Sequence, residues 1–195
     1  MKKLIKVLSL IALISICLVG CENSAKTEGS STKKENNNGF VALLTDYANI
    51  DDKSFNEASY KAISEFTKEY GYKKDFYRAS VYNDTKAREE TFDKAMKAGA
   101  DVVVASGFEF NELIYKKQKE YKDWAIIFID SEPVDEKGNI KTESNVYCIL
   151  YKEHEVGYLA GYAAVMEGYR KLGFLGGLDI PPVKAFGFGY VQGAE

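Results

Sequence analysis

Short apolar runs alternate with amphipathic stretches along residues 40–195, and this alternation limits the possible folds more than any other feature of the sequence. Apolar or alternating runs predict strands at 40–44, 76–82, 101–105, 125–129 and 146–150. The stretches between most of these runs have apolar residues three or four apart, which is the spacing of an amphipathic helix. The alternation therefore predicts an α/β fold, in which a parallel sheet carries helices on both faces.

The helices of this fold have recognisable beginnings and ends. They are predicted at 54–70, 83–97, 110–121 and 153–168. Ser54 and Glu57 have the spacing of a capping box at the start of the first helix. Glycine and alanine occupy one face of the helix at 153–168, which indicates close packing against a neighbour. A sixth strand is predicted at 171–176, followed by a helix that begins at Pro181.

The first 39 residues differ in composition from the rest of the chain. Lysines and an apolar run precede Leu18-Val19-Gly20-Cys21, which has the pattern of a lipobox. We therefore predict a lipoprotein signal peptide at 1–20 and lipid attachment to the sulfur of Cys21. Residues 21–39 contain no large apolar side chain and so cannot form a buried core. We therefore predict that they form a lipidated flexible tether. This interpretation places the protein at the cell membrane, lipid-anchored on the extracytoplasmic face.

A transmembrane anchor and a plain secreted protein are the alternatives for this segment. The apolar run at 4–19 is shorter than the roughly 20 residues that a spanning helix needs. Of three cysteines, only Cys148 would remain unmodified in the mature chain, so no internal disulfide is expected, and its apolar surroundings predict a buried, unreactive thiol. The chain has 26 basic and 29 acidic residues, and this balance argues against nucleic-acid binding.

Acidic, amide and aromatic residues follow the predicted strands at the points where ligands bind in parallel α/β sheets, beyond the carboxyl ends of the strands. These candidate ligand-binding residues are Asp46, Asp51, Asp52, Phe55, Asn56, Gly107, Phe108 and Asp130. Carboxylates can accept hydrogen bonds from hydroxyl groups, and aromatic rings can stack on a flat base or on the apolar face of a sugar. Each aspartate alone could equally be a helix-entry or turn residue, but the set as a whole favours a ligand site.

Several of these segments together resemble the motifs of one family. They are Thr45-Asp46, Ile50 to Asn56, Gly107-Phe108, Phe128 to Ser131, Gly157 to Ala164, Gly173 to Gly177, Pro182-Val183 and Phe186 to Gly189. The chain from the signal onward resembles the basic membrane protein (BMP) lipoproteins, which are substrate-binding proteins of ABC importers and similar to purine nucleoside receptors.

The resemblance implies a type I periplasmic-binding-protein fold, whose two α/β lobes close on a ligand. It implies an N-terminal lobe at 40–168 and an incomplete C-terminal lobe beginning at 169–195, so that the chain alone is expected to bind weakly or not at all. A purine nucleoside would be the ligand, and an ABC permease and ATPase would be the partners. No cofactor or metal is implied.

The resemblance also implies roles for single residues. Asp46, Asp52 and Asn56 would lie near the ligand, Phe55 would stack on the base, Phe108 would form the pocket wall and Asp130 would point toward the ribose. The motif leaves open whether Asp51 or Asp52 faces the ligand.

Other functions compete with nucleoside binding. A sugar or another small polar metabolite could be the ligand, or the protein could be a surface antigen or an α/β enzyme. The glycines of 187–193 weakly resemble a dinucleotide-binding loop, but they fall inside a predicted helix and are better explained by helix packing. His154 is expected to be a solvated residue of a first helical turn. The sequence contains no Ser-His-Asp set and no phosphate-binding loop, so we expect a binding protein and not an enzyme.

Overall fold

The computed structural model describes residues 38–195. The predicted signal peptide, the lipidation of Cys21 and most of the predicted tether lie outside these residues. The strands are β1 (Phe40–Thr45), β2 (Lys73–Arg78), β3 (Val102–Ser106), β4 (Ala125–Ile129) and β5 (Val146–Ile149). The α-helices are α1 (Phe55–Tyr70), α2 (Thr85–Lys97), α3 (Asn111–Glu120), α4 (Glu153–Met166) and α5 (Pro181–Ala194), and a 3-10 helix (Phe108–Phe110) precedes α3.

The five strands form one parallel sheet in the order β2-β1-β3-β4-β5. Because all strands run in the same direction, their carboxyl ends meet at one edge of the sheet. The strand order reverses between β1 and β3, and parallel sheets of this kind bind ligands at such a switch point. The sheet therefore places its ligand-binding edge where Thr45, Ser106 and Ile129 end their strands.

Helices cover both faces of the sheet, as the sequence predicts. On one face, Leu44 and Phe128 are fully buried against Phe92 of α2 and Ile114 of α3. On the other face, Leu43 and its neighbours pack against α1. Alternate residues of each strand thus belong to two separate cores, which is why the central strands appear as continuous apolar runs.

The second strand begins earlier than its sequence pattern predicts. Gly71 ends α1 in a left-handed conformation, and the backbone N–H of Lys73 already donates to Gly39 at 2.8 Å. The strand ends at Arg78, so the prediction of a strand at 76–82 is wrong at both ends. The reason is that β2 lies at an edge of the sheet, where charged side chains are tolerated and the apolar pattern is weak.

The predicted strand at 171–176 is absent. Residues 171–179 form no regular secondary structure and are exposed. A strand is held by hydrogen bonds to a neighbouring strand, and no strand within residues 38–195 lies beside this segment. An apolar pattern in the sequence is therefore not enough to form a strand without a neighbouring strand.

Helices α4 and α5 pack closely against each other. A Cβ atom added at Gly157 or Gly161 of α4, or at Gly189 or Gly193 of α5, would collide with backbone atoms of the opposite helix. This confirms close helix packing at these four glycines, whereas Gly187 approaches the side chain of Phe174, and Ala160 and Ala163 are exposed. Helix α4 makes its main contacts with α5, and the division of the chain between residues 168 and 169 stays a prediction. In the described part of the chain, no helix has both the length and the apolar character needed to cross a bilayer.

Candidate functional site

A cleft of about 610 Å³ lies at the carboxyl edge of the sheet, between the sheet and the start of α5. Seven of the eight residues predicted from sequence line it, namely Asp46, Asp52, Phe55, Asn56, Gly107, Phe108 and Asp130. The cleft also has lining residues that the sequence analysis did not select, namely Ser54, Ser106, Glu109, Tyr151, Glu153, Val156, Ile180, Pro182, Val183 and Phe186. Asp51 is exposed and does not line the cleft, so of the two neighbouring aspartates it is Asp52 that faces it.

Asp52 organises the loop that leads from β1 into α1. Its Oδ1 accepts hydrogen bonds from the backbone N–H of Ser54 at 2.8 Å and of Glu57 at 3.0 Å, and its Oδ2 accepts from Asn56 N–H at 3.3 Å. Ser54 makes no side-chain cap, so the capping-box prediction is wrong in its acceptor: the carboxylate of Asp52, two residues earlier, accepts from the free N–H groups of the first turn. Partial burial would raise the pKa of Asp52, but these backbone N–H groups outweigh it and lower the pKa.

Asp46 and Asn56 form a second fixed contact in the floor of the cleft. Oδ1 of Asp46 accepts from the backbone N–H of Ala48 at 2.8 Å and from Nδ2 of Asn56 at 3.1 Å. Asn56 is buried. The hydrogen bond from its amide ties α1 to the end of β1 and holds the Asp46 carboxylate in one orientation.

The turn after β3 needs a glycine. Gly107 has a φ of 99°, in the region where a side chain would be strained, and its N–H donates to Ile129 O at 2.9 Å. The chain then enters the 3-10 helix, which directs Phe108 and Glu109 into the cleft. Burial raises the pKa of Glu109, and the negative charge of Asp46 raises it further, whereas Arg88 acts in the opposite direction.

Asp130 follows β4 in an unusual backbone conformation. Its φ is 62°, and its N–H donates to Ile149 O at 2.8 Å, which continues the pairing of β4 with β5 by one residue. Burial raises the pKa of its carboxyl group, and the charge of Glu153 across the cleft adds to the effect. Positive φ is uncommon for non-glycine residues, and aspartate is one of the few that adopt it readily.

The upper wall of the cleft is apolar and aromatic. The rings of Phe55 and Tyr151 have centroids 6.2 Å apart and an interplanar angle of 34°. Phe108 and Phe186 are partly exposed in the same cleft. Tyr151 follows β5 at the same edge of the sheet as the predicted residues, and that position is the signal by which it could have been found.

The charges of the lining are of one sign. Five carboxyl groups line the cleft, those of Asp46, Asp52, Glu109, Asp130 and Glu153, and among residues 38–195 no lysine or arginine lines it. The described residues also contain no group of three or more His, Cys, Asp or Glu side chains placed to hold a metal ion. The cleft can therefore accept hydrogen bonds from hydroxyl or amino groups on one side and contact a flat apolar ring on the other.

Solved structures share this architecture. A solute-binding protein of an ABC transporter system from Aeropyrum pernix K1 superposes with a TM-score of 0.64 and 25% identity, covering 80% of this chain and 42% of that chain. The fold is therefore of the periplasmic-binding-protein type.

Sequence comparison identifies the family. The family described as "ABC transporter substrate-binding protein PnrA-like" matches residues 40–195, and the chain belongs to it. The chain is 29% identical to the "ABC transporter nucleoside-binding protein BmpA" of Lactococcus lactis subsp. cremoris, over 100% of this chain and 54% of the relative. It is 30% identical to an "uncharacterized lipoprotein" of Pyrococcus abyssi, over 100% of this chain and 46% of the relative. The chain thus spans about half the length of the curated relatives that it matches.

Proposed function

We propose that this protein is a lipid-anchored substrate-binding protein of an ABC importer and that its ligand is a purine nucleoside. The observation that carries this proposal is the convergence of carboxyl groups and aromatic rings from separate strand ends on one cleft. A nucleoside has the matching chemistry, because its ribose offers hydroxyl donors and its base is flat and aromatic. In this proposal the protein binds its ligand without transforming it.

The lining assigns different parts of the ligand to different walls. Asp46 and Asp130 accept hydrogen bonds from the ribose hydroxyls, and Asn56 holds Asp46 in place. Phe55 stacks on the base, with Tyr151 beside it and Phe108 in the adjoining wall. Asp52 supports this arrangement indirectly, because its two oxygens already accept three backbone hydrogen bonds.

Membrane attachment through Cys21 is part of the proposal. It is supported by the lipobox pattern at 18–21 and by the name of the Pyrococcus abyssi relative, a lipoprotein. Mass spectrometry of the protein purified from membranes should find a diacylglyceryl group on an N-terminal Cys21. A Cys21→Ala variant should lose the modification and its association with the membrane fraction.

The ligand assignment is tested by calorimetric titration of the full-length gene product against inosine, guanosine, ribose and guanosine monophosphate. We expect the two nucleosides to bind with micromolar affinity or better and to be recovered unchanged. Ribose should bind at least tenfold more weakly because it lacks a base to stack, and the monophosphate should bind more weakly because the lining is acidic. Tighter binding of ribose than of either nucleoside would favour the alternative, a sugar-binding protein.

A further inference from the structure

The hydroxyl groups of Ser59 and Ser106 meet beside the cleft, and the sequence analysis selected neither residue. Their oxygen atoms lie 3.0 Å apart, and both residues are buried. We propose that Ser106 is a specificity-determining contact that donates a hydrogen bond to a hydroxyl oxygen of the ribose, and that Ser59 is the positioning residue that orients it. This inference rests on the proposed function, because it concerns the same cleft and the same ligand.

Ser106 lies between the two carboxylates assigned to the ribose. It is the last residue of β3, and β3 is the strand between β1 and β4, whose ends lead to Asp46 and Asp130. Ser106 pairs with Ile129 at the end of β4 and lines the cleft. A ligand whose hydroxyl groups reach both carboxylates therefore lies next to the Ser106 hydroxyl.

Helix α1 supplies the side chains that contact two neighbouring strand ends. Asn56 and Ser59 are three residues apart and both are buried, so they lie on the same side of the helix. The Asn56 amide donates to Asp46, just after β1, at 3.1 Å, and Ser59 contacts Ser106 at the end of β3. One helix thus holds both a carboxylate that accepts hydrogen bonds and a hydroxyl group beside it.

The hydrogen atoms of the two hydroxyl groups determine the direction of their bond. Each hydroxyl has one hydrogen to donate, and within residues 38–195 neither has a hydrogen-bond partner other than the other hydroxyl. If Ser106 donated, the hydrogen of Ser59 would be buried outside the cleft without an acceptor, which is unfavourable. If Ser59 donates, the hydrogen of Ser106 is free for a ligand in the cleft. The second direction leaves no buried donor unpaired once ligand binds.

The free hydrogen of Ser106 supplies a donor where the cleft is rich in acceptors. Of the other side-chain donors in the lining, Ser54 and Tyr151 are exposed, and the Asn56 amide already donates to a carboxylate. A sugar hydroxyl both donates and accepts, so a carboxylate alone satisfies only its hydrogen. With Ser106, the same sugar oxygen accepts from the protein while its hydrogen goes to a carboxylate, and hydrogen bonds in such a chain strengthen one another.

The experiment compares the wild type with Ser106→Ala by calorimetric titration of the full-length gene product with inosine, 2′-deoxyinosine and 3′-deoxyinosine. Ser106→Ala should bind inosine roughly threefold to tenfold more weakly, because a ribose oxygen loses its donor. For one of the two deoxynucleosides, the variant should bind within about twofold of the wild type, because the oxygen that accepts from Ser106 is absent. A general disturbance of the cleft would weaken all three ligands equally.

Two further variants test the role of Ser59. Ser59→Ala should weaken inosine binding roughly twofold to fivefold and spare the same deoxynucleoside, because the Ser106 hydroxyl loses the donor that orients it. The double variant Ser59→Ala/Ser106→Ala should bind inosine no more weakly than Ser106→Ala alone, since Ser59 acts only through Ser106. Ser64→Ala is the matched control and should bind all three ligands as the wild type does, since Ser64 lies on the same helix outside the cleft and donates to Tyr60 O.

Each part of the inference can fail by itself. Equal losses for all three ligands in Ser106→Ala, unchanged inosine affinity in Ser106→Ala or Ser59→Ala, or losses that multiply in the double variant overturn the inference alone. If the wild type does not bind inosine, the proposed function fails and the inference falls with it.

Discussion

The sheet and its covering helices, residues 40–149, contain the buried apolar core, whereas the helix pair, α4 and α5 with the segment between them, exposes most of its large apolar side chains. Phe92, Phe110 and Phe128 are completely buried in the first region. In the second, Leu159 is 64% exposed and Leu175 is 97% exposed. The helix pair is held by backbone contacts at its glycines and not by a side-chain core. The two regions therefore depend on different interactions, and the cleft takes its polar floor from the first and part of its apolar wall from the second.

The largest expected effect tests the core of the sheet region. Phe128→Ala should lower the free energy of unfolding by about 3–5 kcal/mol, because it removes a fully buried aromatic ring and leaves a cavity. Leu175→Ala, in the segment between α4 and α5, should change it by less than about 0.5 kcal/mol. Urea denaturation followed by circular dichroism measures both. Similar losses for the two variants would remove the contrast between the regions.

The second prediction concerns the glycine contacts of the helix pair. Gly161→Val should force α4 away from the backbone of α5 near Tyr190, at a cost of about 1–3 kcal/mol. Hydrogen exchange should show lost protection in α4 and α5 while β1, β3 and β4 keep theirs. Ala163→Val is the control, since Ala163 is exposed on the same helix and carries the same branched side chain when substituted. Equal protection in the two variants would mean that the close contact is not what holds the pair.

A third prediction tests the sheet's contribution to the cleft. Asp130→Ala should weaken nucleoside binding by roughly 1–3 kcal/mol, because ribose hydroxyls lose a charged acceptor. Asp51→Ala should leave affinity unchanged, since Asp51 is exposed and outside the cleft. Calorimetric titration with inosine distinguishes the two aspartates. Unchanged affinity in Asp130→Ala would remove this residue from the site.

The smallest expected effect concerns helix capping, in which the regions also differ. Asp52 caps α1 and Asp84 caps α2 by accepting from Ala87 N–H, whereas neither α4 nor α5 has a side-chain cap. Asp52→Ala should cost about 0.5–2 kcal/mol of stability. The pKa of Asp52 is lowered in the folded state, so its contribution is full above about pH 4 and is lost as the pH falls through that lower value. The difference in unfolding free energy between wild type and Asp52→Ala, measured from pH 7 to pH 2, should shrink accordingly; a constant difference would contradict this role.

The position of each strand in the sheet explains how much of the fold could be predicted from the sequence alone. The central strands were predictable because burial on both faces requires continuous apolar runs, as in β3 and β4. The edge strand β2, with its charged residues, carries no such pattern, and residues 171–176 have an apolar pattern but no neighbouring strand. Whether a segment forms a strand therefore depends on its neighbours in the sheet as much as on its own residues.

The cleft was predictable to a similar extent. The rule that ligands bind at strand carboxyl ends selected loops that line the cleft, including those of Asp46 and Asp130. It could not reveal that Asp52 caps α1 or that Glu109 lines the same cleft, because both depend on how each loop folds back. Val183 and Phe186 were missed because their place in the cleft follows from the packing of α5 on α4, which no strand pattern encodes.

The left-handed backbone at Asp130 limits which amino acids can replace the aspartate. Among ordinary residues, only glycine, asparagine and aspartate adopt this conformation readily. Most other substitutions should therefore lower the stability of the fold, whatever they do to ligand binding. Asparagine keeps the backbone and the shape while removing the charge. In a library of every amino acid at position 130, selection for protein abundance should retain glycine, asparagine and aspartate, and selection for the proposed nucleoside binding should retain aspartate alone.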